Sequence, residues 1–171
     1  SYTLLPTPGR GHRMILYHGS NVIIENIDLT RSKPNKDFGK GFYLSSDEKQ
    51  AFHMAALKSA ILGGEPIVTR YEFDETYLHG TDLSVKIFSS YTEEWAQFVF
   101  ANRNSKNGNA VFQYDIVYGP IANDKVGLQI KKLEDKSIDI QEFLHRLKYM
   151  KGITFQYYFG TEKSIHLLRR L

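Results

Sequence analysis

A chain of 171 residues is long enough for one domain that buries a core without staples, and the absence of cysteine excludes disulfides, thiolate metal sites and a cysteine nucleophile. The formal charge of +3, from 22 basic and 19 acidic residues, is too even for a strongly basic nucleic-acid reader, so Lys131-Lys132 and Arg169-Arg170 read as solvated surface pairs. No apolar run approaches the ~20 residues of a membrane helix and the start carries no apolar signal segment, which sets the expectation of a cytoplasmic protein, at home or after delivery to a target cell.

Ser1–Arg13, rich in Pro, Gly, Thr and Arg, is expected to be a leader left from expression, with one domain running from Met14 to Leu171. Ile15-Leu16-Tyr17 predicts a strand that ends in the turn His18-Gly19-Ser20. Val22 to Leu29 reads as a further extended piece, and Thr30 to Lys36, with Pro34, as a loop. Gly39-Lys40-Gly41 leads into a buried strand, Phe42-Tyr43-Leu44. Ser45 or Ser46 then predicts a helix cap, with Asp47 and Glu48 in the first turn and Ala51, Phe52, Ala55, Leu57 and Ile61 along the helix to Gly63-Gly64.

Ile67 to Phe73 alternates as a strand, and Leu83, Val85 and Ile87 mark a shorter one. Thr92 caps a helix bearing Trp95, Phe98 and Val99; Asn104 to Asn109 is a loop; Val111 to Tyr118 is a strand ended by Gly119-Pro120. Asp139 caps a helix with Phe143, Leu144 and Leu147 on one side. Ile153 to Phe159 predicts a strand, and Glu162 to Leu171 a closing helix or strand. Helices interspersed with short strands define an α+β domain with a largely antiparallel or mixed sheet.

The six histidines are scattered, none pairs with another at helical i, i+4 spacing, and no zinc motif, phosphate loop, dinucleotide fingerprint or nucleophile elbow is present. No metal is expected. Three segments carry more. In Tyr17-His18-Gly19-Ser20 a strand-end histidine is placed to donate to sugar hydroxyls, and Gly19 lets a backbone approach a flat amide; the plainer reading is a turn histidine satisfied by backbone. In Asp37-Phe38-Gly39-Lys40-Gly41-Phe42-Tyr43, Tyr43 is placed to stack on a cationic ring, against a plain core aromatic beside a bulge. In Thr154-Phe155-Gln156-Tyr157-Tyr158-Phe159 the single polar Gln156 suits a pocket, against a solvent-facing strand position.

These segments, in this order, resemble the ADP-ribosyltransferase superfamily, whose members present a histidine, then a tyrosine, then a glutamate or another polar residue. More narrowly, the chain resembles a bacterial ADP-ribosyltransferase-like family catalogued as a domain of unknown function. The narrower likeness rests also on Trp95-Ala96-Gln97-Phe98-Val99 with Asn102-Arg103, on Tyr114 to Asp124, and on Gln156 to Phe159 as a Gln-x-x-Phe. The resemblance implies a split, two-sheet mixed or antiparallel core with NAD+ in a cleft between the sheets. His18, Gly19, Ser20, Gly41, Tyr43, His53 and Arg103 would bind the nucleotide: His18 the ribose, Gly19 the carboxamide, Tyr43 the nicotinamide face, His53 the outer wall and Arg103 the diphosphate. His18, Tyr43 and Gln156 would form the catalytic set.

Gln156 stands where a carboxylate is usual, keeping a hydrogen bond and losing a charge. Glu162 is the nearest carboxylate that could compensate. The expected activity is mono-ADP-ribosyl transfer from NAD+ as co-substrate to a macromolecular acceptor, protein ahead of nucleic acid, in a toxin- or effector-like setting with room for a cognate antitoxin or regulator. NAD+ glycohydrolysis and a silent nucleotide-binding or interaction module remain open. Asp115, Asn123 and Asp124 are candidates for positioning the acceptor, weighed against turn-forming and capping roles.

Overall fold

The structure, a computed structural model, describes residues 12–150 and 153–171. Most of the leader expected over Ser1–Arg13 therefore lies outside the described residues. Seven strands and five helices follow in chain order: β1 (Arg13–Ser20), β2 (Phe42–Leu44), α1 (Glu48–Leu62), β3 (Ile67–Asp74), β4 (Val85–Ile87), α2 (Glu93–Arg103), β5 (Ile116–Pro120), α3 (Asp124–Glu134), α4 (Ile140–Lys148), β6 (Phe155–Phe159), α5 (Glu162–Ile165) and β7 (Arg169–Arg170).

The strands form two sheets, as an α+β fold predicts. One is antiparallel in the order β1-β3-β7; the other runs β2-β6-β5-β4, mixed because β4 lies parallel to β5. Side chains alternate across each strand, so every sheet can serve two layers. On β6, Tyr157 and Phe159 join Leu16, Leu44, Tyr71 and Phe73 in a core between the sheets. Tyr158, on the opposite face, joins Phe38, Trp95, Val99, Val126 and Phe143 in a second core under α2, α3 and α4. Helix α1 packs against β1 and β3 and buries only Ala51 and Ala55.

Each helix starts on a side chain that satisfies a free backbone N–H: Asp47, Thr92, Asn123, Asp139 and Thr161. The cap of α1 is Asp47, not Ser45 or Ser46. Ser45 is engaged elsewhere: its backbone N–H and C=O pair with Tyr17 at 2.8 and 2.7 Å, and its hydroxyl accepts from Asp47 N at 2.9 Å. Gly63, at a φ of 86°, ends the helix as expected.

Three segments depart from the sequence reading. Residues 22–29 form no strand, and 111–115 form none either; β5 begins at Ile116 and extends through Gly119-Pro120 instead of stopping before them. Helix α3, to which the sequence reading assigned no element, starts just beyond. No helix among the described residues is long and apolar enough to cross a membrane.

Candidate functional site

The two sheets touch through backbone at one place, the isolated bridge between Tyr17 of β1 and Ser45 just after β2. The neighbouring residues, His18 and Tyr43, are thereby brought together: His18 Nδ1 lies 2.6 Å from the Tyr43 carbonyl oxygen. A carbonyl only accepts, so Nδ1 carries the proton. Burial, then the ammonium of Lys58, lowers the His18 pKa to about 3 against the backbone bond, so the ring is neutral. Its Nε2 is left as an acceptor with no partner among the described residues. The histidine expected to donate to a sugar hydroxyl can therefore only accept from one. The ring is also held by stacking on Phe42, with centroids 4.1 Å apart.

Tyr43 is fixed by its hydroxyl, which donates to Gly39 O at 2.6 Å and accepts from Phe38 N at 3.1 Å. Burial, then the Asp37 carboxylate, pushes its pKa well up, so the phenol is no base. The ring face is what remains for a ligand, and the Lys36 ammonium sits over it, 4.6 Å from the centroid. Gln156 is 7 % exposed, which rules out a solvent-facing strand position. Its amide forms no hydrogen bond with the described residues, and the residue lines the inner of the two cavities described next.

His18 and Tyr43 line two neighbouring cavities. The larger, about 590 Å³, is walled by Ser20, by the irregular segment 21–33, and by Gly41, Phe42 and Leu62. The inner one, about 30 Å³, adds Gly19, Ser45, Met54 and Gln156. Lys36 and Lys58 line both. Neither lysine forms an ion pair with a described residue; Lys58 Nζ donates to Gly19 O at 2.8 Å. Burial lowers both pKa values, and the proximity of Lys36 helps bring that of Lys58 to about 8.

Of the residues singled out from sequence, His18, Gly19, Ser20, Gly41, Tyr43 and Gln156 converge. The rest do not. His53 lies on the exposed side of α1, and Met54 takes the wall position. Arg103 is held by Asp37, its Nε 2.7 Å from Oδ1, while Asp37 Oδ2 accepts from Ala122 N at 2.8 Å. Glu162 is largely exposed beside His166 and lines neither cavity. Asp115 accepts from Ser84 N and Thr161 Oγ1, and Asn123 caps α3, so both have structural work. Gly19 has a second use: a Cβ there would collide with the Ala51 carbonyl oxygen and come within 2.8 Å of Ala55 N, so the missing side chain admits α1.

Sequence reasoning missed Lys36 and Lys58. A signal for Lys58 exists: it falls on the Ala51, Ala55, Lys58 stripe, the side of α1 that buries the two alanines. Lys36, in a polar loop, carries none.

An α+β domain of two sheets with a polar, ligand-sized cavity where they meet is the class that fold and site define. The chain belongs to the family described as proteins of unknown function, DUF3990, whose model matches residues 14–170. No curated protein matches the chain, and neither does any solved structure.

Proposed function

We propose that this domain is a mono-ADP-ribosyltransferase that cleaves the nicotinamide–ribose bond of NAD+ and passes ADP-ribose to a macromolecular acceptor. What carries the reading is the convergence of His18, Tyr43 and Gln156, in that chain order, from both sheets onto one cavity. Their chemistry fits the substrate. The bare Nε2 of His18 accepts from a ribose hydroxyl, the ring of Tyr43 offers a π face to the cationic nicotinamide, and the Gln156 amide, on the inner cavity, holds a second hydroxyl. When the glycosidic C–N bond breaks, nicotinamide leaves with the bonding pair. The acceptor's oxygen or nitrogen then bonds to the anomeric carbon and gives up its proton.

A neutral amide supplies less stabilisation of the positive charge that grows on the ribose than a carboxylate would. That same observation supports a second reading, NAD+ binding without transfer, and a third, hydrolysis with water as acceptor. The cytoplasmic setting belongs to the proposal on the sequence reading, the preference for a protein acceptor on the even charge, and a cognate regulator on the resemblance.

The test is incubation of the purified protein with NAD+, following free nicotinamide by chromatography. Release is expected from the parent protein and to fall roughly 100-fold or more in His18→Ala, the scale of losing one preorganised polar contact. Gln156→Glu should raise it about tenfold by restoring the charge, about 1.4 kcal/mol of barrier. Undiminished release from a folded His18→Ala protein would remove the assignment; tight NAD+ binding with no release in the presence of lysate proteins would select the silent module.

A further inference from the structure

We infer that Lys36 and Lys58 form a phosphate-binding pair whose engagement by a diphosphate frees the Tyr43 ring face and the Gly19 carbonyl for the other end of the same ligand. Both side chains line the larger and the inner cavity, and they come from separate elements, the loop before β2 and the helix α1. Neither ammonium has a carboxylate partner among the described residues. No acidic side chain lines the inner cavity. Of the two that line the larger one, Glu25 and Asp28, neither pairs with Lys36 or Lys58, and Asp28 is occupied by Thr30, at 2.6 Å to its hydroxyl and 3.0 Å to its amide, and by Arg31 at 3.7 Å. Arg31 and Lys33 add further positive charge to that wall.

Half-buried ammonium groups without an ion-pair partner are unfavourable; Asp37, itself paired with Arg103, compensates Lys36 only in part, and each lysine is held by a makeshift contact: Lys36 on the π face of Tyr43, Lys58 on the Gly19 carbonyl. A dianionic group between them would compensate both charges at once. The makeshift contacts use the two surfaces that a flat cationic amide would need. Binding at the phosphate end therefore uncovers the amide end, and the two ends of one ligand are coupled through the lysines. That the ligand is a dinucleotide rests on the function proposed above; the anion preference stands on the cavity alone.

Calorimetric titration with inorganic pyrophosphate, ADP-ribose and nicotinamide separates the parts. The parent protein should bind pyrophosphate and ADP-ribose. Lys36→Met and Lys58→Met should each weaken both about tenfold, Lys36→Arg and Lys58→Arg should retain most of the affinity, and Lys49→Met, on the exposed start of α1, should change nothing. Nicotinamide should bind more tightly when pyrophosphate is present. The inference is overturned if both methionine variants, shown folded by circular dichroism, bind pyrophosphate like the parent, or if pyrophosphate leaves nicotinamide affinity unchanged. Lysine-dependent pyrophosphate binding without NAD+ binding would sink the proposed function and keep the pair. NAD+ cleavage undisturbed by either methionine change would do the reverse.

Discussion

His18 shows how one side chain ties the site to stability. Its folded pKa, about 3, lies below the ordinary histidine value of 6.5, so between those limits the unfolded chain binds more protons than the folded one. Stability contributed at neutral pH is therefore lost as pH falls below about 6.5 and continues to fall towards 3. Urea midpoints from pH 7 to pH 4 should decline less steeply in His18→Gln than in the parent; parallel slopes would show that His18 does not carry this part of the acid sensitivity. Gly19 makes a second case. Gly19→Ala sets a methyl against the backbone of α1, which cannot swing aside as a side chain could. A loss of about 1–3 kcal/mol is expected from overpacking, read as a lowered urea midpoint.

Among the elements, the loop that leads into β2 and Tyr43 is tied to α2 by a buried polar knot. Asn102, wholly buried, donates to the carbonyls of Asp37 and Phe98 and accepts from Val111 N, while Asp37 binds Arg103 and Ala122 N. Asn102→Ala strands these groups and should cost about 1–3 kcal/mol in a thermal or urea melt. If the proposed activity holds, nicotinamide release should fall with it, through the displaced loop. The knot explains why Arg103 looked like a ligand group: a basic residue after an amphipathic helix reads the same whether its carboxylate is a substrate or Asp37.

Other elements were legible to different degrees. The strands β1, β2, β3 and β6 and the helices α1, α2 and α4 follow from alternation, helical spacing and terminators within the segment itself. Residues 111–115 do not, because their polar groups are met at a distance: Val111 N by Asn102, Asp115 by Ser84 and Thr161. Segment 22–29 is apolar without being a strand because Val22, Ile23, Ile24 and Ile27 wall the cavity. Helix α3 was hidden by Gly127, a weak helix former, and by a Gly119-Pro120 pair that reads as turn although Pro120 closes β5 and accepts from Trp95 Nε1 at 2.8 Å. For the site, chemistry at element ends was visible; the lysines were not, since their meeting depends on how α1 lies on β1.

On the scale of the molecule, two cores share the four-stranded sheet, and the cavity opens where the three-stranded sheet meets it. A ligand seated there spans both sheets and stabilises only the assembled form. At a hundredfold excess over its Kd, ADP-ribose should add about 2.7 kcal/mol. That corresponds to a rise in Tm of roughly 5–10 °C by differential scanning fluorimetry for a domain of this size. A Lys36→Met, Lys58→Met double variant should show little of it, and an unshifted parent would mean that the ligand does not bind. The bridge between Tyr17 and Ser45 sets how such an assembly can move. Two backbone hydrogen bonds rivet the two sheets there, with His18 and Tyr43 beside the rivet. Those two side chains keep their spacing as long as the rivet holds, whatever fills the cavity beside them.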